Sequence, residues 1–155
     1  VFLAFGLGSG LSPKAPGTAG SALSLLFFPV LVALGLWGSI GLIVIASIFG
    51  VWLCGAAANI LNVHDHEAIV WDEFVGQWLT LLPLIPIAGW NLQTYSYLVL
   101  GFALFRLFDI LKPWPISWCD KHLEGGFGIM FDDVLAGIAA GGLLWLIINN
   151  GWFAF

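Results

Sequence analysis

The sequence predicts an all-α membrane protein: a single-domain, polytopic helical bundle with about five membrane-embedded helices. Three observations predict it. Apolar residues are 61% of the 155 residues and charged residues only 8%, against about 25% charged in an ordinary soluble domain. Mean hydropathy is +1.03, which disfavours the rival reading, a soluble domain with an unusually apolar core. The apolar residues also gather into runs near the roughly 20 residues a helix needs to cross a bilayer. None of these runs alternates with the period of two expected of a barrel wall.

The runs are taken in chain order. The first covers residues 21–36, with Pro29 as the expected kink. The second covers 39–58. The third, 74–88, is weakened at its end by Pro83 and Pro86. The fourth covers 95–111. The fifth, 134–148, is short but extends into residues 151–155. Ahead of them, residues 1–7 are apolar but too short to span, and no basic segment precedes them as in a signal peptide. A first residue of Val rather than Met implies a short preceding piece.

The ionisable groups divide the chain unevenly. They occur at Lys14, from His64 to Glu73, and from Arg106 to Asp133, whereas the turns at 35–39 and 89–94 carry none. Threading five spans alternately through a bilayer brings every charged segment to one face. All four Lys and Arg residues lie there, so the excess of basic residues in cytoplasmic loops makes that face cytoplasmic. Trp37 and Trp90 then suit an aromatic belt on the far side, and Trp71, Trp114 and Trp118 one on the near side. A net charge of −5 with so few basic residues excludes nucleic acid as a partner. Cys54 and Cys119 have neither metal-site nor disulfide-framework spacing and read as free thiols.

Ionisable groups beside lipid are costly and usually mark a site. Asp72 and Glu73 form an acidic doublet among apolar neighbours, and Asp132 and Asp133 repeat it. Each doublet could simply favour a helix N-terminus. Two doublets plus Asp109 suit a hard divalent cation better, because carboxylates, water and a substrate phosphate are the usual shell of Mg²⁺. Arg106 and Asp109 are three apart and share a helix face, either as a local ion pair or as phosphate and metal ligands. Lys112 reads as a partner of the helix dipole or as a second phosphate contact. Glycines at Gly125, Gly126 and Gly128 would let backbone N–H groups approach an anion. Thr18 and Ser21, after Pro16 and Gly17, read most simply as helix caps that could also hold a phosphate. No P-loop or dinucleotide fingerprint occurs. His64, Asp65 and His66 are solvated loop residues or a proton-transfer cluster, with His66 the candidate base.

Four stretches together resemble the phosphatidylglycerophosphatase A family. They are residues 12–21 (SPKAPGTAGS), 63–76 (VHDHEAIVWDEFVG), 105–116 (FRLFDILKPWPI) and 125–137 (GGFGIMFDDVLAG), in the expected order over most of the chain. Lys14 is outside the family pattern. The resemblance implies a multi-pass enzyme of phospholipid synthesis in the bacterial inner membrane. It implies hydrolysis of phosphatidylglycerophosphate to phosphatidylglycerol and phosphate with Mg²⁺, and an active site that includes Asp72, Glu73, Asp109, Asp132 and Asp133.

Residues and resemblance converge on metal-assisted phosphomonoester hydrolysis at the cytoplasmic interface. Asp72, Glu73, Asp109, Asp132 and Asp133 are the expected metal ligands. Arg106, Lys112, Thr18, Ser21, Gly126 and Gly128 are the expected phosphate contacts. Asp72, Asp109, Asp133 or His66 is the expected proton acceptor or, for an aspartate, the nucleophile. The rivals are an ion- or proton-coupled transporter, a non-catalytic membrane subunit, and a lipid phosphatase for another head group. A transporter places its coupling site near the bilayer midplane, whereas these charges gather at one face.

Overall fold

A computed structural model describes residues 1–62 and 66–152. The described residues form six α-helices: α1 (Pro16–Ser24), α2 (Phe28–Leu61), α3 (Trp71–Leu81), α4 (Leu92–Leu111), α5 (Ile116–His122) and α6 (Gly125–Asn149). No strand occurs among the described residues. The all-α prediction holds. The number of spans does not follow it.

Among the described residues, three helical stretches are long and apolar enough to cross a membrane: Pro16–Leu61, Leu92–Leu111 and Gly125–Asn149. The first two predicted runs both fall within the first of these stretches, which is not one straight helix. Its breaks are a 3-10 turn at Leu25–Phe27 and a non-helical residue, Gly35, at φ 69° and ψ 178°. The Ser39 hydroxyl donates across that break to the Leu31 carbonyl at 2.8 Å. Pro29, the expected kink, sits at the start of α2, where a missing N–H costs nothing. The third predicted run yields only the 11 residues of α3, followed by the 3-10 helix Leu82–Ile87 that contains Pro83 and Pro86. Eleven residues at 1.5 Å each rise about 16 Å, roughly half a hydrocarbon core.

Because it is short, α3 is enclosed rather than lipid-facing, and it packs against α1, α2, α4 and α6. Glycines set how closely it meets α6. A Cβ on Gly76 would stand 2.7 Å from the Asp133 carbonyl, and one on Gly137 would stand 2.5 Å from the Gly76 carbonyl. Small residues let helix backbones approach in this way where lipid supplies no hydrophobic drive between them. The Thr80 hydroxyl bridges the crossing, 3.0 Å from the Gly76 carbonyl and 3.4 Å from that of Gly137.

The outer surface is apolar, with Leu26, Trp37, Ile45, Ile48, Ile60, Leu92, Val99 and Ile138 exposed. Trp71, expected in the near-side belt, instead turns inward and donates from Nε1 to the Ala46 carbonyl of α2 at 3.1 Å. Trp114 and Trp118 are exposed as expected. The N-terminal segment is tied down, since the Ala4 carbonyl accepts from the Val70 and Trp71 N–H groups that begin α3. Both cysteines are buried.

Candidate active site

Glu73 lies in the first turn of α3, where the helix dipole favours a carboxylate. Arg106 and Asp109 lie near the end of α4, and Asp132 and Asp133 lie two turns inside α6. The packing of α3, α4 and α6 brings one carboxylate from each helix together. Ligand oxygens of Glu73, Asp109 and Asp133 all stand within 4.8 Å of one another.

Arg106 is the counter-charge. Its NH1 nitrogen donates to Glu73 Oε1 at 3.4 Å and to Asp109 Oδ2, and it reaches the Ser21 hydroxyl at 3.5 Å. The side chains of Arg106, Glu73 and Asp109 are 15%, 13% and 11% exposed, so this is a largely desolvated charge cluster. Within it, Arg106 Nε and Asp133 Oδ2 are buried without a hydrogen-bond partner. Such groups cost free energy unless something pairs with them.

The all-oxygen donor set of Glu73, Asp109 and Asp133 fits a hard divalent cation, and the unpaired Asp133 oxygen is the observation on which that fit rests. Asp72 and Asp132, expected in the same ligand set, are outside this trio. Asp72 is buried at the start of α3. Asp132 turns away to Lys112, whose Nζ lies 2.6 Å from Asp132 Oδ2 and 2.7 Å from Asp120 Oδ1.

Lys112 ends α4 in the left-handed region at φ 42°. Burial draws its pKa down, but the bonds and charges of Asp120 and Asp132 outweigh it, and the net shift is upward. The ammonium therefore stays charged at neutral pH. Its side chain is 27% exposed, against 8% for Asp132. Lys112→Met should destabilise the protein by roughly 2 kcal/mol, below the 3–5 of a fully buried pair because water reaches the lysine. Adding Asp132→Asn to it should recover most of that loss in detergent unfolding curves. An additive double mutant would mean that the pair does not couple.

The small-residue stretch at the start of α1 has a role that differs from the expected one. The helix begins at Pro16 after Ala15, which makes no side-chain cap. Thr18 and Ser21 are thus inside the helix and cap nothing. The Ser21 hydroxyl donates to the Gly17 carbonyl at 2.9 Å while facing Arg106. Gly17 and Gly20, three apart on one helix face, press against the Glu73 carboxylate, and a Cβ on Gly20 would stand 3.0 Å from Glu73 Oε2. Only glycine lets α1 come that close. The i, i+3 spacing of these glycines was the available sequence signal.

Gly125, Gly126 and Gly128 form no loop, because α6 starts at Gly125. Gly126 packs on the Val51 carbonyl of α2 and Gly128 on the Leu123 carbonyl. They are packing glycines, about 10 Å along the helix from Asp133 for Gly126 at 1.5 Å per residue. His66 is exposed. Its Nδ1 accepts from the Ala68 N–H at 3.1 Å and its ring stacks on Phe5. His64 and Asp65 lie outside the described residues.

The family model described as phosphatidylglycerophosphatase A matches residues 2–148. The chain belongs to the phosphatidylglycerophosphatase A family. It is 45% identical to phosphatidylglycerophosphatase A of Escherichia coli (strain K12) over 146 residues, 94% of this chain and 81% of that protein. It is 49% identical to phosphatidylglycerophosphatase A of Haemophilus influenzae over 140 residues, 89% of this chain and 82% of that protein. A Bacteroides thetaiotaomicron relative, named as a candidate phosphatidylinositol-3-phosphatase, is 40% identical over 146 residues, 89% of this chain and 86% of that protein. No solved structure matches the chain. Membership in a family of phosphatases agrees with the enzyme reading of the acidic site, and it leaves the transporter and non-catalytic readings without support.

Proposed function

We propose that this protein hydrolyses the terminal phosphomonoester of phosphatidylglycerophosphate, giving phosphatidylglycerol and inorganic phosphate, at the cytoplasmic face of the bacterial inner membrane. The observation that carries the reading is the meeting of Glu73, Asp109 and Asp133 from three helices beside Arg106, in a chain of this family. A phosphomonoester dianion needs positive charge around its oxygens and an oriented water. Glu73, Asp109 and Asp133 would hold Mg²⁺, which when bound would supply charge neutralisation and orientation of that water.

The chain's own residues supply the rest. Arg106 keeps an unpaired Nε donor, which suits a phosphate oxygen whose charge grows in the transition state. Glu73 and Asp109 hold the guanidinium in place, so it does not reorganise as the reaction proceeds. A carboxylate oxygen of the trio that is not given to the ion would take the proton of the attacking water. The water oxygen bonds to phosphorus, the ester P–O bond breaks, and the protonated carboxyl returns its proton to the leaving alkoxide. The surrounding apolar surface keeps the acyl chains in lipid while the head group enters between α1, α3, α4 and α6.

The name of the Bacteroides relative favours one second reading, a related lipid phosphatase with a different head group. Purified protein in detergent tests both. Phosphate should be released from phosphatidylglycerophosphate faster than from phosphatidate or phosphatidylinositol 3-phosphate, and EDTA should stop it until Mg²⁺ is restored. Release that persists in EDTA refutes the carboxylate–metal assignment. Preference for another lipid moves the substrate assignment to that head group.

A further inference from the structure

Gln77 is fully buried, and neither its amide oxygen nor its amide nitrogen has a hydrogen-bond partner. A buried side-chain amide with both ends unpaired is among the more costly arrangements a helix can carry. Leucine or methionine would fill the same volume without that cost. Nothing in the packing of α3 calls for an amide here.

The position is informative. Gln77 is four residues after Glu73 on α3, so the two share a helix face and lie about 6 Å apart along the axis. The opposite face is committed elsewhere: Phe74 and Trp78 pack on Phe27, and Trp78 Nε1 donates to the Ser24 carbonyl. Next to Gln77, Gly76 meets the Phe105 ring and the Asp133 carbonyl. The unpaired amide therefore extends the site by one helical turn beyond the carboxylates. It adds to the unpaired Arg106 Nε and Asp133 Oδ2 a third helix's worth of unsatisfied polar atoms. Those two atoms are as closed to solvent as the amide, so an opening that admits substrate to the carboxylates serves Gln77 as well.

The chemistry of the amide narrows the ligand. Its oxygen needs a donor. The ionised phosphates and ester oxygens of a phosphoglycerol head group only accept, whereas the free hydroxyl of the glycerol can donate. The amide nitrogen can in turn donate to a neighbouring ester or hydroxyl oxygen. We propose that Gln77 is a specificity-determining residue that reads the head-group hydroxyl next to the phosphate bound by Arg106, beside Glu73, Asp109 and Asp133. This rests on the phosphatase reading above.

The test uses two lipids: phosphatidylglycerophosphate and its analogue with hydrogen in place of the glycerol hydroxyl. Wild-type protein should favour the hydroxyl lipid by roughly 10- to 100-fold in kcat/KM, the scale of leaving a substrate-binding amide unpaired. Gln77→Leu should fall by that factor on the hydroxyl lipid and stay unchanged on the deoxy lipid. A residue with a purely structural role would lower both alike, and that outcome overturns the proposal. Equal use of the two lipids by wild-type protein overturns it as well, while leaving the phosphatase reading intact. Wild-type protein that releases phosphate from neither lipid overturns the phosphatase reading itself. If Gln77→Leu does not fold, Gln77→Met, which is flexible and of similar volume, makes the same comparison.

Discussion

Asp133→Asn should lower phosphate release by about a thousandfold or more, the scale on which loss of one group acting in the transition state is felt, and should leave a protein more stable than the original. The two halves of that expectation have one cause. Asp133 is 3% exposed, its Oδ2 has no hydrogen-bond partner, and the carboxylates of Glu73 and Asp109 stand within 4.8 Å. A buried anion beside two others is held against both desolvation and repulsion. The asparagine amide keeps the shape and removes the charge, so folding gains what catalysis loses. Asp109→Asn should be as inactive but should not be stabilised, because it also deprives Arg106 of a partner.

A readout apart from turnover completes this prediction. Mg²⁺ should raise the melting temperature of the wild-type protein in detergent, since a ligand that binds only the folded state stabilises it by mass action. It should not raise that of Asp133→Asn. Near-normal rates in both variants would show that the acidic trio is not the site of chemistry.

Gly76→Leu should lower both stability and turnover. A Cβ there would stand 2.5 Å from the Phe105 ring and 2.7 Å from the Asp133 carbonyl. A ring can rotate aside, but a helix carbonyl cannot yield without moving α6. The stability cost should be about 3 kcal/mol, the upper part of the usual range for overpacking. Activity should fall further than stability. Displacing Asp133 by an ångström relative to Glu73 misaligns groups that must act together, and misplacements of that size cost about a hundredfold. Gly142→Leu on the same helix as Asp133 is the control, because a Cβ at Gly142 meets nothing within 4 Å. It should change neither stability nor turnover. If the two glycine variants behave alike, close approach of α3 to α6 is not what assembles the site.

Part of the local geometry was legible before any tertiary structure. Arg106 and Asp109 are neighbours through helix spacing alone, and their ion pair is local. The acidic doublets stood out because carboxylates among apolar residues are rare for a physical reason. What the residues could not specify was which member of each doublet joins the trio. Adjacent helix residues point about 100° apart, so only the rotation of α3 and α6 against their neighbours put Glu73 and Asp133 in the trio. That same rotation gave Asp132 to Lys112. The glycines are ambiguous for a related reason. A glycine that lets a ligand approach and one that lets a helix approach look the same in a sequence, and here Gly17, Gly20 and Gly126 serve helix packing.

The sequence by itself determined that the chain is helical, bilayer-compatible and equipped with an oxygen-rich acidic site, because composition, hydropathy and residue chemistry are properties of the residues wherever they lie. Only the tertiary structure decided the sharp break at Gly35, that α3 is an enclosed short helix, and which three carboxylates meet. Those outcomes depend on contacts between residues tens of positions apart. Their geometry is set by how closely helices pack, and no local pattern encodes it.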